Sequence, residues 1–376
     1  MKIYNPVIRR WQEMKIDTPA NQKGLVACPN FFDIHTHVRL LDQEDYNSLE
    51  RAAVAGGFGA VLIQPNTKPP IETENVFKMH FELAKGKIID YYWTCSFFGQ
   101  LEPDGKRILC YSNDGIEYDT QKIFWTFKSK KPDLLLDHSQ FYEVGGLFYE
   151  GTPLNIRKRP ISSESISIFR NVMLGLEYGF KRFHIQHVTT EFSIETIQHL
   201  RKYVQVSCEV TPHHLFFNME DIKNTNFKVN PPFATEKDRQ SLLEAVRKDI
   251  IDVFATDHAP HHEKTSDFER AAYGTSGIEV AFSAFYTTTM DLEKTIQKMT
   301  IAPRKILGLE TDFDLGNITV IDPEAEYIVD VRNFHSKGKN CVFDGIKLKG
   351  KIVGVKLKGK WVYWDGEFLF NDQEHS

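Results

Sequence analysis

Short apolar runs rich in Val, Ile, Leu and Phe punctuate the chain: FFDIH from Phe31, GAVLIQPN from Gly59, KIIDYYWTCSFF from Lys87, DLLLDH from Asp133, RFHIQH from Arg182, VQVSCEV from Val204 and DVFATDH from Asp252. Each is long enough for a buried strand, and their continuous apolarity suits a parallel sheet covered on both faces. Between several of them lie helix-like stretches, NSLERAAVAGGF, SIETIQHLRKY and TEKDRQSLLEAVRKDI. In the last, Thr235 with Asp238 reads as a capping box, and Leu242, Leu243, Val246 and Ile250 form an apolar stripe. Alternating strand and helix predict an α/β fold, a (β/α)8 TIM-like barrel over residues 27–309. The ends differ: 1–26 show no helical stripe, and GNITVIDPEAEYIVDV and FDGIKLKGKIVGVKLKGKWVYW read as short strands with glycine turns. Residues 1–26 and 310–376 are therefore expected to form one small β-sandwich-like domain beside the barrel.

Composition narrows the class. In 376 residues, 41% are hydrophobic and 26% charged, with a formal net charge of −5, so the chain lacks the basic surface that nucleic acid requires. No apolar stretch resembles a signal peptide or a membrane span, and a cytoplasmic protein is expected. The five cysteines, Cys28, Cys95, Cys110, Cys208 and Cys341, are scattered and never spaced C-x-x-C. A metal here would be held by histidine and carboxylate instead.

Chemistry-bearing residues gather where the apolar runs finish: His35 and His37, Asn66, His138, His187, and Asp257 with His261. In a βα barrel those strand ends build the active site. His35 and His37, two apart on a strand, can face one ion, though two packed histidines explain them as well. Taken singly, His138 and His187 fit hydrogen-bonded structural histidines, and spacing does not set them apart from His184, His213 and His214. Asp257 follows a largely apolar run, where an ionised carboxylate needs a cation or a donor. Asp114 in YSNDG by itself reads as turn chemistry. Together, four histidines with one or two aspartates match a hydrolytic site of imidazole and carboxylate with room for water.

In order and context these residues resemble the cyclic amidohydrolases, specifically the type I dihydroorotases, over nearly the whole chain. The family's opening motif stands as His35-Thr-His37-Val-Arg39, followed by PNTKPP containing Asn66, Ser112-Asn113-Asp114-Gly115, Asp137-His138 and His187-Val-Thr-Thr. EVTPHHL, Asn230-Pro-Pro, ATDHAPH through His261 and SKGKN complete the match. The resemblance implies metal ligands His35, His37, Asp114, His138, His187 and Asp257, leaving His184, His213 and His214 structural. It implies one or two divalent ions, Zn2+ by family habit, with Asp114 in the place where related enzymes use a carboxylated lysine.

The implied reaction is reversible hydrolysis of dihydroorotate to N-carbamoyl-aspartate, a step of pyrimidine biosynthesis. Asp257 would be the general base and acid, and Arg39, Asn66, Asn230, His261 and Gly274 the contacts to the anionic substrate. Alternatives are a hydantoinase or allantoinase, or a silent partner subunit of aspartate carbamoyltransferase; a homo-oligomer is expected. The chain departs from the family's pattern at Leu40-Leu41-Asp42, Phe233-Ala234 and Ala272-Tyr273, at Asn113, where the resembled stretch has an acidic residue, and at Ser139-Gln140, where acidic residues often follow Asp-His.

Overall fold

The computed structural model describes residues 1–20, 23–40 and 43–370. The departures at Leu41 and Asp42 lie outside the described residues, as do positions 21–22 and 371–376 of the expected terminal domain.

Eight strands, β1 (Phe31–Thr36), β2 (Phe58–Ile63), β3 (Asp90–Ser96), β4 (Ile108–Ser112), β5 (Leu135–Asp137), β6 (Arg182–Ile185), β7 (Gln205–Val210) and β8 (Val253–Phe254), pair in parallel, in chain order. A parallel bridge between Thr36 and His258, with the His37 N–H donating to the His258 carbonyl at 3.0 Å, joins the two edges and closes the barrel. Strand β4, the run ILCYS, is absent from the apolar stretches that the pattern picks out, because five residues between polar loops give too weak a signal. Among the described residues no helix lies between β3 and β4, whereas a helix follows every other barrel strand.

The helices form for the reasons their sequences suggest. Glu236–Arg247 opens with the Thr235–Asp238 capping box and buries Leu242, Leu243 and Val246. Tyr46–Ala55 is capped by Asp45, whose side chain accepts from the Asn47 and Ser48 N–H groups. One layer of the interior is filled by Phe32, Ile34, Leu62, Leu136 and Val253, all under 1% exposed, so the polar cluster rests on a packed apolar plug rather than an open pore.

Seven strands from both chain ends lie in one further sheet, ordered Glu367–Phe368, Lys360–Trp364, Lys347–Leu357, Ile318–Ile328, Val26–Pro29, Lys2–Asn5 and Arg10–Glu13. Val26–Pro29 belongs to this sheet by its pairing, and β1 follows after the single residue Asn30. The terminal region also reaches the barrel mouth through SKGKN: Asn340 accepts from the His261 N–H at 2.8 Å and donates to the carbonyls of Ala259 and Gly274.

The β1–β8 seam is locked by Asp33, which is fully buried. Its carboxylate accepts from the His35 and Thr256 N–H groups at 3.2 and 3.0 Å, and from the Thr36 and Thr256 hydroxyls at 2.5 Å each. Removing the acceptor strands donors in a site closed to solvent. Asp33→Ala should therefore destabilise the protein by about 3 kcal/mol, read as a lowered urea midpoint at unchanged slope.

Candidate active site and metal centre

Each expected ligand sits at or just beyond the carboxyl end of a barrel strand: His35 and His37 on and after β1, Asp114 after β4, His138 after β5, His187 after β6 and Asp257 after β8. Strand register thus converges side chains from distant parts of the sequence. His37, Asp114, His138, His187 and Asp257 line a cleft of about 390 Å³, with Arg39 on its wall. His187 and Asp257 hold positive φ, 31° and 45°, a conformation that costs a non-glycine residue and is kept where the surroundings demand it.

The hydrogen bonds determine which ring nitrogens face inward. His37 Nδ1 lies 2.8 Å from the Asn66 Oδ1, so it carries the proton and Nε2 presents a lone pair. That Nε2 faces Asp257 Oδ1 at 3.0 Å and Asp114 Oδ2 at 3.5 Å. His35 Nδ1 faces Glu209 Oε1 at 2.5 Å, leaving its Nε2 directed at Asp114 at 3.1 Å and Asp257 at 3.5 Å. Two lone-pair nitrogens pointing at two carboxylates repel unless something positive lies among them. Either a proton or a metal ion satisfies that geometry, and donor atoms of His35, His37 and Asp257 all lie within 4.8 Å of one another.

A second group adjoins the first. The His187 ring lies 5.1 Å from His35 and 4.6 Å from His138, and His138 Nε2 is 4.0 Å from Asp114 Oδ1. His138 Nδ1 is buried without a hydrogen-bond partner among the described residues. Burial drives the pKa of both histidines down, that of His187 well below its ordinary value, so both are neutral bases at neutral pH, as metal ligands must be. Asp114 lies between the two groups. Burial raises its pKa, but His37, His35 and His138 outweigh this and hold it below the usual carboxylate range.

The expected substrate contacts divide. Arg39 lines the cleft, and its Nε is buried with no partner among the described residues. Its backbone exchanges two hydrogen bonds with Glu44, whose carboxylate is held by His258 and Ser336. Asn66 lines the cleft while its amide spans His37 and Asp114, donating to the latter at 3.3 Å. A side chain on Gly115, at φ +70°, would fall 2.3 Å from that amide. Asn230 is held between Arg159 and Gln140, and Gly274 lines the wall at φ +119°. His261 has both ring nitrogens engaged, by Gln43 and the Tyr273 carbonyl, and lines an adjacent depression shared with Arg39 and Asn66.

Of the remaining histidines, His184 bonds Ser207 and Glu209, and His214 bonds Thr211 and the Pro231 carbonyl. Sequence reasoning passed over Glu209, Glu44 and Asn113. The signal for Glu209 is an acidic residue inside the apolar run VQVSCEV, which demands a buried partner for the same reason as Asp257.

Residues 177–362 match the amidohydrolase family. Over the full length of both proteins, the chain is 54% identical to a Thermotoga maritima protein named, provisionally, a dihydroorotase. It is 33% identical to the dihydroorotase of Aquifex aeolicus, covering 91% of this chain and 89% of that protein. For the Bacillus subtilis dihydroorotase the identity is 31%, covering 94% and 90%. The chain belongs to the dihydroorotase family. Its fold is also that of a Thermus sp. D-hydantoinase (dihydropyrimidinase), with a TM-score of 0.81 at 15% identity, covering 98% of this chain and 95% of that one. The inactive dihydroorotase-like domain of a Chaetomium thermophilum CAD-like multifunctional protein is similar too, with a TM-score of 0.65 at 19% identity over 92% and 96%. These two likenesses concern the fold alone.

As a dihydroorotase-family site, the cluster should trade a proton for a metal. Burial opposes a charge on His35, but Glu209, Asp257 and Asp114 prevail and raise its pKa well above the ordinary value. A proton therefore remains on the metal-free ring at neutral pH and must leave when a cation binds. Zn2+ affinity of chelator-stripped protein should rise from pH 6 to pH 8, with proton release that calorimetry in buffers of different ionisation enthalpy would count. Affinity independent of pH would contradict this assignment.

Proposed function

We propose that the chain is a metal-dependent dihydroorotase, interconverting dihydroorotate and N-carbamoyl-aspartate, with the site residues in the roles that follow. The observation carrying this reading is the convergence of lone-pair nitrogens from His35 and His37 with the Asp114 and Asp257 carboxylates beside Arg39. His35, His37 and Asp257 would hold one divalent ion and His138 and His187 a second, with Asp114 between them. The donor set of imidazole and carboxylate favours zinc. Ions held there would make water acidic enough to act as a nucleophile near neutral pH and would polarise the ring amide carbonyl.

The protein's own groups then have distinct tasks. Asp257 takes the proton from the attacking water and returns it to the ring nitrogen as the C–N bond breaks, acting first as base and then as acid. One residue serves both steps because the incoming oxygen and the departing nitrogen lie on the same side of the carbon. Arg39 grips the substrate carboxylate, its guanidinium buried enough for a charge-assisted pair to be strong. Asn66 holds the His37 ring and adds an amide to the cleft wall, and Gly274 keeps that wall low. His261, Tyr273 and Asn340 form a braced loop behind Arg39. Asn230 closes the opposite wall.

Hydantoin and allantoin rings carry no carboxylate, so an enzyme that relies on Arg39 should favour dihydroorotate in a side-by-side assay of the three. An intact set of proposed ligands argues against a silent subunit. The five free, buried cysteines fit a reducing compartment, and we place the enzyme in the cytoplasm. Among the described residues no helix is long and apolar enough to cross a membrane.

Asp257→Asn should lower kcat about a thousandfold while bound metal is retained, measured by turnover and metal analysis on one sample. Activity surviving that change sinks the assigned mechanism. Arg39→Gln should act mainly on KM for dihydroorotate, raising it about 10- to 100-fold, the loss expected for a charge-assisted bond.

A further inference from the structure

Strand β7 supplies none of the expected ligands, yet its Glu209 is fully buried beneath them. One oxygen, Oε1, lies 2.5 Å from His35 Nδ1 and 3.3 Å from the His187 N–H; the other, Oε2, lies 3.0 Å from His184 Nε2. The carboxylate thus joins a side chain of one proposed metal group to the backbone of the other.

An ionised carboxylate can only accept, and this fixes the direction of the bonds that Glu209 makes. Ser207 Oγ stands 2.8 Å from His184 Nδ1 and 3.3 Å from the Phe183 carbonyl, on the far side of the ring from Glu209. His184 faces the carboxylate with Nε2 and so carries a proton there, which it donates to Glu209. His187 donates through its backbone. Glu209 can only accept, so His35 must carry a proton on Nδ1, which the Gln186 Nε2 also approaches at 3.3 Å, and Nε2 is the nitrogen left for a cation. Alternative tautomers set two acceptors face to face in a fully buried site.

We propose that Glu209 is a positioning residue: through the chain Ser207–His184–Glu209 it fixes the tautomer and ring orientation of His35 as a metal ligand, while tying down the backbone of His187. It touches neither metal nor substrate. The inference rests on the metal reading above, and its test separates the two.

Chelator-stripped wild type and E209Q are titrated with Zn2+ against a chromophoric chelator, and the zinc-loaded wild type is examined by NMR with 15N-labelled histidine. Glutamine keeps the shape of Glu209 but offers one acceptor atom and an amide that must oppose an N–H or reverse a tautomer. E209Q should bind Zn2+ about 10- to 100-fold more weakly, and the wild-type spectrum should show His35 protonated at Nδ1. Affinities within twofold of each other, with the wild type binding zinc, overturn the inference and leave the metal reading intact. A His35 protonated at Nε2 in the zinc-loaded wild type overturns the inference together with the place of His35 among the ligands, and decides the matter even where E209Q fails to fold. Wild type that binds no zinc removes both.

Discussion

The active site depends on the closure of the barrel at one seam. Strands β1 and β8 are the first and last of the ring, separated by more than two hundred residues, and β8 contributes only Val253 and Phe254 as regular strand. Ordinary ladder bonds alone would hold such a short strand weakly. Asp33 supplies the remainder by gathering backbone and hydroxyl donors from both sides of the gap. Its placement two residues before His35, and that of its partner Thr256 one residue before Asp257, mean that one carboxylate both closes the barrel and sets the spacing between ligands of the proposed first ion. Burying that charge is costly without donors, and here every donor belongs to the two strands being joined.

Above the seam the cluster is built so that it is incomplete by itself. The Nε2 atoms of His35 and His37 face the Asp114 and Asp257 carboxylates, and positive φ at His187 and Asp257 adds backbone strain. The strain is a cost to folding, and a cation entering between the rings and the carboxylates would offset it. Neutral His138 and His187 lie on one side and Asp114, held below the usual carboxylate range, in the middle, a distribution of charge that supports the proposed pair of ions. Arg39 stands apart from the cluster on the cleft wall, where Asp114 and Asp257 favour its charge although burial opposes it. The proposed cation sites and the proposed anion-binding group are thus separated within one cleft, the division that hydrolysis of an anionic cyclic amide requires.

Much of this was legible in the sequence because strand ends carry it. The runs FFDIH, GAVLIQPN and DLLLDH announce both a buried strand and the polar residue that finishes it, so barrel and site emerge from one pattern. Asp114 was different: its strand, ILCYS, is too short to stand out, and Asn-Asp-Gly looks like a turn until the resemblance gives it a place. Choosing among histidines also exceeded what spacing can do. His184 and His187 are both inward-facing and buried, and only the carboxylate beneath them, Glu209, separates the one that is tied down from the one whose ring faces the cleft. Such partners come from strands far apart in sequence, so no local pattern encodes them.

The same reasoning accounts for two of the chain's departures from its family. Asn113 stands where an acidic residue is usual, and Ser139 follows His138 where acidic residues often occur. Both side chains donate to one buried carboxylate, Asp137: the Asn113 amide at 2.6 Å to Oδ1, the Ser139 hydroxyl to Oδ2. Asn171 adds a third donor at 2.9 Å. Burial pushes the pKa of Asp137 up, and these three bonds work against that rise. An acid at 113 or 139 would bring a second negative charge against the first, in a place from which water is excluded. The Asn113 carbonyl oxygen in turn accepts the His138 N–H at 2.6 Å, so the substituted residue fixes the backbone of a proposed ligand. The departures therefore form one consistent network around Asp137, which holds His138 at the end of β5 by hydrogen bonds to neutral donors.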